Sequence, residues 1–117
     1  MKVFVYFNLH KKMFSIKALE GEHKGLVIGH CDELTIFNPT FKVSQAGRQR
    51  VLRERKKNVH AGVVGFWNGC LDSFNVNCKT PVTYNPYKYD SFVYASDGSP
   101  IQSASVAYLT HRKIFVN

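Results

Sequence analysis

The sequence is short of acidic residues and has no long apolar run. Eight Asp and Glu stand against sixteen Lys and Arg, so the formal charge is +8. This excess of cations predicts an anionic partner. No run approaches the ~18 apolar residues that a membrane span needs, and the first residues lack the apolar core of a signal peptide. We therefore expect a soluble, intracellular protein without membrane contact.

Paired cysteines and the common catalytic motifs are missing as well. Cys31, Cys70 and Cys78 form no CxxC pair. This spacing predicts thiols in a reducing cytoplasm, and it signals neither a disulfide framework nor a zinc site. The patterns GxxxxGK[ST], HExxH and GxSxG are absent, which disfavours the corresponding nucleotide hydrolases, metalloproteases and serine hydrolases. We expect no metal and no cofactor.

Short β-rich runs dominate what is present. The length of 117 residues predicts a single domain, residues 1–117, and nine Phe with six Tyr favour strands over helices. We predict an α+β fold that is mostly β, built as a small antiparallel sheet or a partly closed barrel with one short basic helix. A hairpin is expected between residues 91–96 and 103–109, and a loop over residues 70–79.

The basic helix is predicted over residues 44–58, with Ser44 as its N-cap and Asn58 as its stop. Six basic residues and one acid fall within positions 48–57. At 100° per residue, Arg50, Arg53 and Lys57 share one side, which favours a solvated charged face.

Arg48 and Arg55 are expected on the part of the helix that meets the sheet. A guanidinium group that is buried there needs a negative partner, because an unpaired buried charge is costly. The partner is either an anion from outside the chain or one of the carboxylates Asp32, Glu33 and Asp90. A third alternative is that both side chains extend past the edge of the core into solvent. The sequence leaves these alternatives open.

A proline-stiffened, tyrosine-rich segment, TPVTYNPYKYD, is the second unusual feature, and His60 lies in the strand VHAGVVG. Tyrosines can stack on a base, and arginines bind phosphate oxygens in pairs. The alternative is a rigid aromatic corner beside a hydrogen-bonded core histidine. The candidate contacts of a nucleotide pocket are Arg48, Arg55, His60, Tyr84, Tyr87 and Lys88.

Four segments carry a family resemblance: FNLHKKMFSIKALEG, VSQAGRQRVLRERKKNVHAGVVG, VTYNPYKYDSF and PIQSASVAYLTHRKIFV. Together they resemble a family of small accessory proteins of tailed bacteriophages, over most of the chain except residues 67–79. The resemblance implies an early phage protein that acts in the cytoplasm of the infected bacterium, where such proteins often counter host defence. It implies no catalytic residue.

The leading hypothesis from these observations is a protein that binds and sequesters a small nucleotide-derived anion, such as a host immune signal. The first alternative is binding of nucleic acid, or of a host defence protein, through Arg50, Arg53 and Lys57. A phosphodiesterase that uses His60 and His111 as acid and base is another, and a virion-associated structural protein is the last. The residues favour binding over catalysis, and a homo-oligomer is compatible with all of these hypotheses.

Overall fold

The computed structural model describes residues 1–69 and 78–117. Within these ranges the chain forms one open antiparallel sheet of nine strands, in the order β3-β2-β1-β5-β4-β8-β9-β6-β7, and one helix. The predicted mostly-β fold is confirmed as an antiparallel sheet, and the sheet does not close into a barrel. The elements are β1 Lys2–Asn8, β2 Met13–Ala18, β3 Val27–Cys31, β4 Glu33–Val43, α1 Gln45–Glu54, β5 Ala61–Phe66, β6 Thr80–Thr83, β7 Val93–Tyr94, β8 Val106–Thr110 and β9 Lys113–Val116.

Alternation along the strands divides the sheet into an inner face and an outer face. In β1, Val3 and Val5 are fully buried on the inner face, whereas Phe4 and Tyr6 are half-buried on the outer face. Apolar side chains of the neighbouring strands continue the inner face and form the core with Val3 and Val5. They include Phe14, Ile16, Leu34, Ile36, Val63, Val82, Ala107, Leu109 and Val116.

A bulge divides the long strand β4, and the two halves pair with different strands. Its first half pairs with β8, and its second half pairs with β5, with an irregularity between Phe37 and Thr40. Asn38 in this interval has φ 51°, a left-handed conformation that asparagine tolerates better than most residues. The bulge bends β4, as bulges do in antiparallel sheets.

The predicted hairpin between residues 91–96 and 103–109 is wrong. Strand β7 pairs with β6, and β8 pairs with β4 and β9. After β7 the chain turns at Gly98, which has φ 74°, and returns only as far as an isolated bridge between Val93 and Pro100. A turn signal fixes a reversal of the chain, but the pairing of strands depends on contacts that are distant in sequence.

Helix α1 begins as predicted and ends earlier. The Ser44 hydroxyl accepts a hydrogen bond from the Gly47 backbone N–H, so the N-cap is confirmed. The helix ends at Glu54, because Arg55 takes a left-handed conformation with φ 58°. No helix in residues 1–69 and 78–117 is long and apolar enough to cross a membrane.

The cysteines depart from the expectation of three thiols. Cys31 is disulfide-bonded. The spacing of cysteines in the sequence did not predict this bond, because side chains that are distant along the chain can meet in the fold. Cys78 is buried, and its Sγ lies 3.7 Å from the carbonyl oxygen of Val106. Most of the loop predicted over residues 70–79 lies outside the described residues.

Candidate functional site

The inner face of the sheet curves around an open cleft of about 590 Å³. Its floor is apolar, with Val5, Val63 and Leu109 from three strands of the core. Its walls come from the β1–β2 end of the sheet, from residues 57–60 that lead into β5, and from residues 83–87 that follow β6. The cleft is large enough for a ligand of nucleotide size, since ligand pockets commonly measure about 300–1,000 Å³.

His60 and Tyr84 form a hydrogen-bonded pair in the wall of this cleft. The Nε2 of His60 lies 2.7 Å from the Tyr84 hydroxyl oxygen. The Nδ1 of His60 lies 3.0 Å from Oδ1 of Asn58 and 3.2 Å from its carbonyl oxygen, so both ring nitrogens are engaged. Helix α1 packs on the other side, where a Cβ added to Gly47 would lie 2.5 Å from the Cβ of His60. The histidine ring is therefore held in one orientation.

Tyr84 belongs to an aromatic stack that extends into the core. Its ring stacks on Phe92 with centroids 5.2 Å apart, and Phe92 in turn contacts Phe41 at 5.1 Å. Burial raises the pKa of the Tyr84 phenol above its ordinary value, the Arg48 guanidinium opposes the rise, and the Asp90 carboxylate adds to it. Tyr84 therefore stays a neutral hydroxyl in the cleft wall.

Two exposed cations, Lys57 and Arg112, line the mouth of the cleft. The Arg112 guanidinium lies 5.0 Å from the centroid of the Phe7 ring, a cation–π distance. Arg112 has φ 71° and belongs to the tight turn between β8 and β9. Within the described residues, neither cation forms an ion pair with a carboxylate.

Arg48 lies outside the cleft and is held by backbone carbonyl groups. Its Nε donates to the carbonyl oxygens of Pro86 at 3.0 Å and Tyr89 at 2.9 Å. It lines a smaller pocket of about 370 Å³ together with Lys88 and Asp90. The half-buried guanidinium thus fastens α1 to residues 85–90.

Arg55 does not share an inward face with Arg48, so that expectation of helix geometry is wrong. Because α1 ends at Glu54, Arg55 is the C-cap and is exposed. Of the three residues predicted on the charged side, Arg50 pairs with Glu54 at 3.3 Å and Arg53 is exposed, whereas Lys57 reaches the cleft.

The structure thus distributes the predicted contacts unequally. His60, Tyr84 and Tyr87 line the cleft, Arg48 and Lys88 line the smaller pocket, and Arg55 lines neither of these two. His111, the predicted catalytic partner of His60, is exposed in the β8–β9 turn and also lines neither. No group of three or more His, Cys, Asp or Glu in the described ranges could hold a metal ion.

Sequence reasoning missed Arg112 and Phe92. Arg112 lies in the turn HRK between two short strands, and the sequence does not show that this turn folds back towards Phe7. Phe92 looked like an ordinary strand residue. A signal for Arg112 was available: a basic residue in a tight turn where Gly or Asn is usual.

Comparison with known proteins places the chain in a family. The family model described as Mycobacterium phage L5 gene 82 protein matches residues 1–117. The chain belongs to this family. It is 40% identical to the gene 82 protein of Mycobacterium phage L5 over 116 residues, which cover 94% of this chain and 90% of that protein. The resemblance to phage proteins is confirmed at the level of this gene 82 family. No solved structure matches the chain.

Proposed function

We propose that this phage protein binds and sequesters a small nucleotide-derived anion in the cleft, and so counters a defence signal of the infected bacterium. The observation that carries the proposal is the composition of the cleft. An apolar floor, the His60–Tyr84 pair in the wall and two cations at the mouth stand around one cavity. Such a cavity suits a ligand with a flat apolar body and a charged end.

The cleft offers a suitable contact for the base and for the phosphate of a nucleotide. The base would lie on the apolar floor beside Tyr84 and Tyr87, where aromatic rings offer flat contact area. The phosphate would lie at the mouth, where Arg112 supplies a fork of donors and Lys57 a point charge. Arg48 and Lys88 in the smaller pocket are candidates for a second anionic group, and Arg55 remains a sequence-based candidate.

Binding without turnover is the more economical function for these residues. An acid–base reaction on a phosphodiester needs two groups that reach the same bond. His60 lines the cleft, and His111 is not among the described residues that line it. Sequestration needs only affinity, which the cleft can supply without a second histidine.

The direct test is to purify the protein from bacterial lysate, denature it and analyse the released small molecules by mass spectrometry. Affinity for mononucleotides, cyclic dinucleotides and inorganic phosphate is then measured by calorimetry. We expect a nucleotide to bind and Arg112→Gln to weaken it about ten-fold or more, the loss of a charge-assisted contact. Lys24→Gln, an exposed lysine in the β2–β3 connection, is the matched control and should bind normally.

Two results would overturn this proposal. Folded protein that releases no small molecule and binds no nucleotide in the panel would remove the ligand. Conversion of a cyclic dinucleotide to a linear product, abolished by His60→Ala or His111→Ala, would replace sequestration by the phosphodiesterase alternative.

The basic segment of α1 supports a second candidate, binding of nucleic acid or of a host defence protein. Arg50 and Arg53 are exposed, and Lys56 and Lys57 follow the helix without a further acid. A contact through several cations weakens steeply as salt rises, whereas binding in the cleft depends on salt less. Affinity of Arg53→Gln for oligonucleotides at two salt concentrations separates this candidate from the first.

A further inference from the structure

Two half-buried aromatic residues of β1 lie on the outer face of the sheet, away from the contacts of helix α1. Helix α1 makes its contacts elsewhere: Gln45 and Arg48 bond to residues 85–90, and Val51 lines the cleft on the inner side. Phe4 and Tyr6 of β1 are half-buried on the outer face. Adjacent aromatic side chains that stay partly exposed on a sheet face can form an interaction site.

The Phe4 ring reaches over Gly62, its diagonal neighbour on β5, because that residue has no side chain. A Cβ added to Gly62 of β5 would come within 2.7 Å of two atoms of the Phe4 ring, Cε1 and Cζ. The ring thus covers the glycine and turns its other side outward. The Tyr6 ring follows along the same strand, with its centroid 5.9 Å from that of Phe4 and its plane inclined by 31°. Two aromatic platforms therefore lie side by side.

Lysines flank these two rings. Lys17 of β2 is paired with Phe4, and Lys42 of β4 is paired with Gly62, so a cation stands on either side of the Phe4 ring. Two acids at the ends of neighbouring strands have hydrogen-bond partners of their own: Glu20 accepts from the Lys2 backbone N–H, and Glu33 accepts from the Tyr108 hydroxyl. We call Phe4, Tyr6, Lys17 and Lys42 the outer-face patch.

We propose that the outer-face patch binds single-stranded nucleic acid, with bases stacked on Phe4 and Tyr6 and phosphates near Lys17 and Lys42. Open sheets that display aromatic rings between cations bind single strands in this manner. A duplex keeps its base faces in its own stack and offers only its backbone to the rings. A second copy of this chain is disfavoured, because a two-fold contact through the patch would bring lysines of both copies together in a protein of charge +8.

The patch shares Tyr6 with the lining of the cleft, whereas Phe4, Lys17 and Lys42 do not line it, so variants of these three residues test the patch separately. Labelled oligothymidylate of about 12 nucleotides is titrated with the full chain, and binding is followed by fluorescence anisotropy at about 50 and about 200 mM salt. Phe4→Leu keeps an apolar side chain over Gly62 and removes the aromatic face. We expect Phe4→Leu and Tyr6→Leu each to weaken binding about ten-fold, and Phe4→Trp to retain it.

Charge variants test the phosphate contacts. Lys17→Gln and Lys42→Gln should each reduce the slope of log affinity against log salt by about 0.7, and Lys24→Gln, outside the patch, should leave it unchanged. Circular dichroism and thermal unfolding confirm that each variant is folded. Three results would overturn the proposal: no binding at low salt, binding that Phe4→Leu leaves intact but Arg53→Gln abolishes, or a dimer in solution that Phe4→Leu dissociates.

Discussion

Tyr84 lines the cleft and stacks on the core residue Phe92, so the pKa of its hydroxyl depends on the burial of the ring. Burial is the main cause of its raised pKa, and the ring stacks on Phe92 with centroids 5.2 Å apart. Tyr108, on the outer face, also has a raised pKa, chiefly because its hydroxyl donates a hydrogen bond to the Glu33 carboxylate. Both phenols bind their protons more tightly in the folded chain than in the unfolded chain.

These two tyrosines predict a loss of stability in alkali. Where a folded-state pKa is raised above its ordinary value of 10.0, the unfolded chain releases its proton first. The contribution of each phenol to the free energy of unfolding is therefore complete below pH 10.0, and it is lost as the pH rises from there through the raised folded-state pKa. Urea unfolding at about pH 9 to 12 should show this fall, and Tyr84→Phe and Tyr108→Phe should each lessen it. Equal slopes in the parent protein and the double variant would contradict the prediction.

Replacement of Gly47 by alanine should destabilise the protein, which is opposite to the usual effect of this substitution in a helix. In an exposed helix interior, Gly→Ala stabilises by about 1 kcal/mol. Here the added Cβ would lie 2.5 Å from the Cβ of His60, so α1 must move away from the strand or His60 must shift. We expect Gly47→Ala to lower the free energy of unfolding and to perturb the His60 ring resonances. Gln49→Ala, at an exposed position of the same helix, is the control and should be neutral or slightly stabilising.

Helix α1 shows which features of an element can be predicted from its sequence. Ser44 was identifiable as the N-cap because a hydroxyl at that place satisfies free N–H groups whatever lies around it. The C-terminal end was not identifiable, because Arg55 takes a conformation that glycine or asparagine usually occupies. Because the helix ends four residues earlier than predicted, Arg55 is an exposed cap residue and does not face inward. Only Arg48 of the predicted pair of inward-facing arginines remains half-buried.

The C-cap predicts a stabilising substitution. Arg55→Gly should raise the free energy of unfolding by about 0.5–1 kcal/mol, because glycine adopts φ 58° without the penalty of a Cβ. Arg53→Gly, inside the helix, is the matched control and should lower it by a similar amount. Calorimetric affinity for a cyclic dinucleotide, measured on the same Arg55→Gly protein, tests whether the Arg55 guanidinium contributes to the proposed binding. A destabilised Arg55→Gly variant would contradict the C-cap argument.

For the strands too, features set by the local sequence could be predicted, and features set by contacts distant in sequence could not. Alternation identified β1 and β2, where Val3, Val5 and Ile16 share a face. The order of the strands in the sheet could not be predicted from the sequence, since β5 pairs with β1 although residues 9–60 separate these two strands along the chain. His60, Tyr84 and Arg112 meet at one cleft only because of that order.

Excess positive charge acts on both faces of the sheet. The cleft has Lys57 and Arg112 at its mouth, and the outer-face patch has Lys17 and Lys42 beside its rings. In the described part of the chain, the ion pairs between side chains are His23–Glu22 and Arg50–Glu54, both largely exposed. Few attractive pairs therefore offset the mutual repulsion of sixteen Lys and Arg.

That repulsion predicts that salt stabilises the fold. Between about 50 and 500 mM sodium chloride, screening should raise the free energy of unfolding, because it weakens more repulsion than attraction. Lys56→Gln removes one exposed charge and should raise stability at low salt and reduce the gain at high salt. Arg50→Gln makes the same change of charge but loses the pair with Glu54, worth about 0.3–0.5 kcal/mol, and should gain less. Equal gains for the two variants would show that the Arg50–Glu54 pair contributes nothing, and a fall in stability with salt would contradict the argument from net charge.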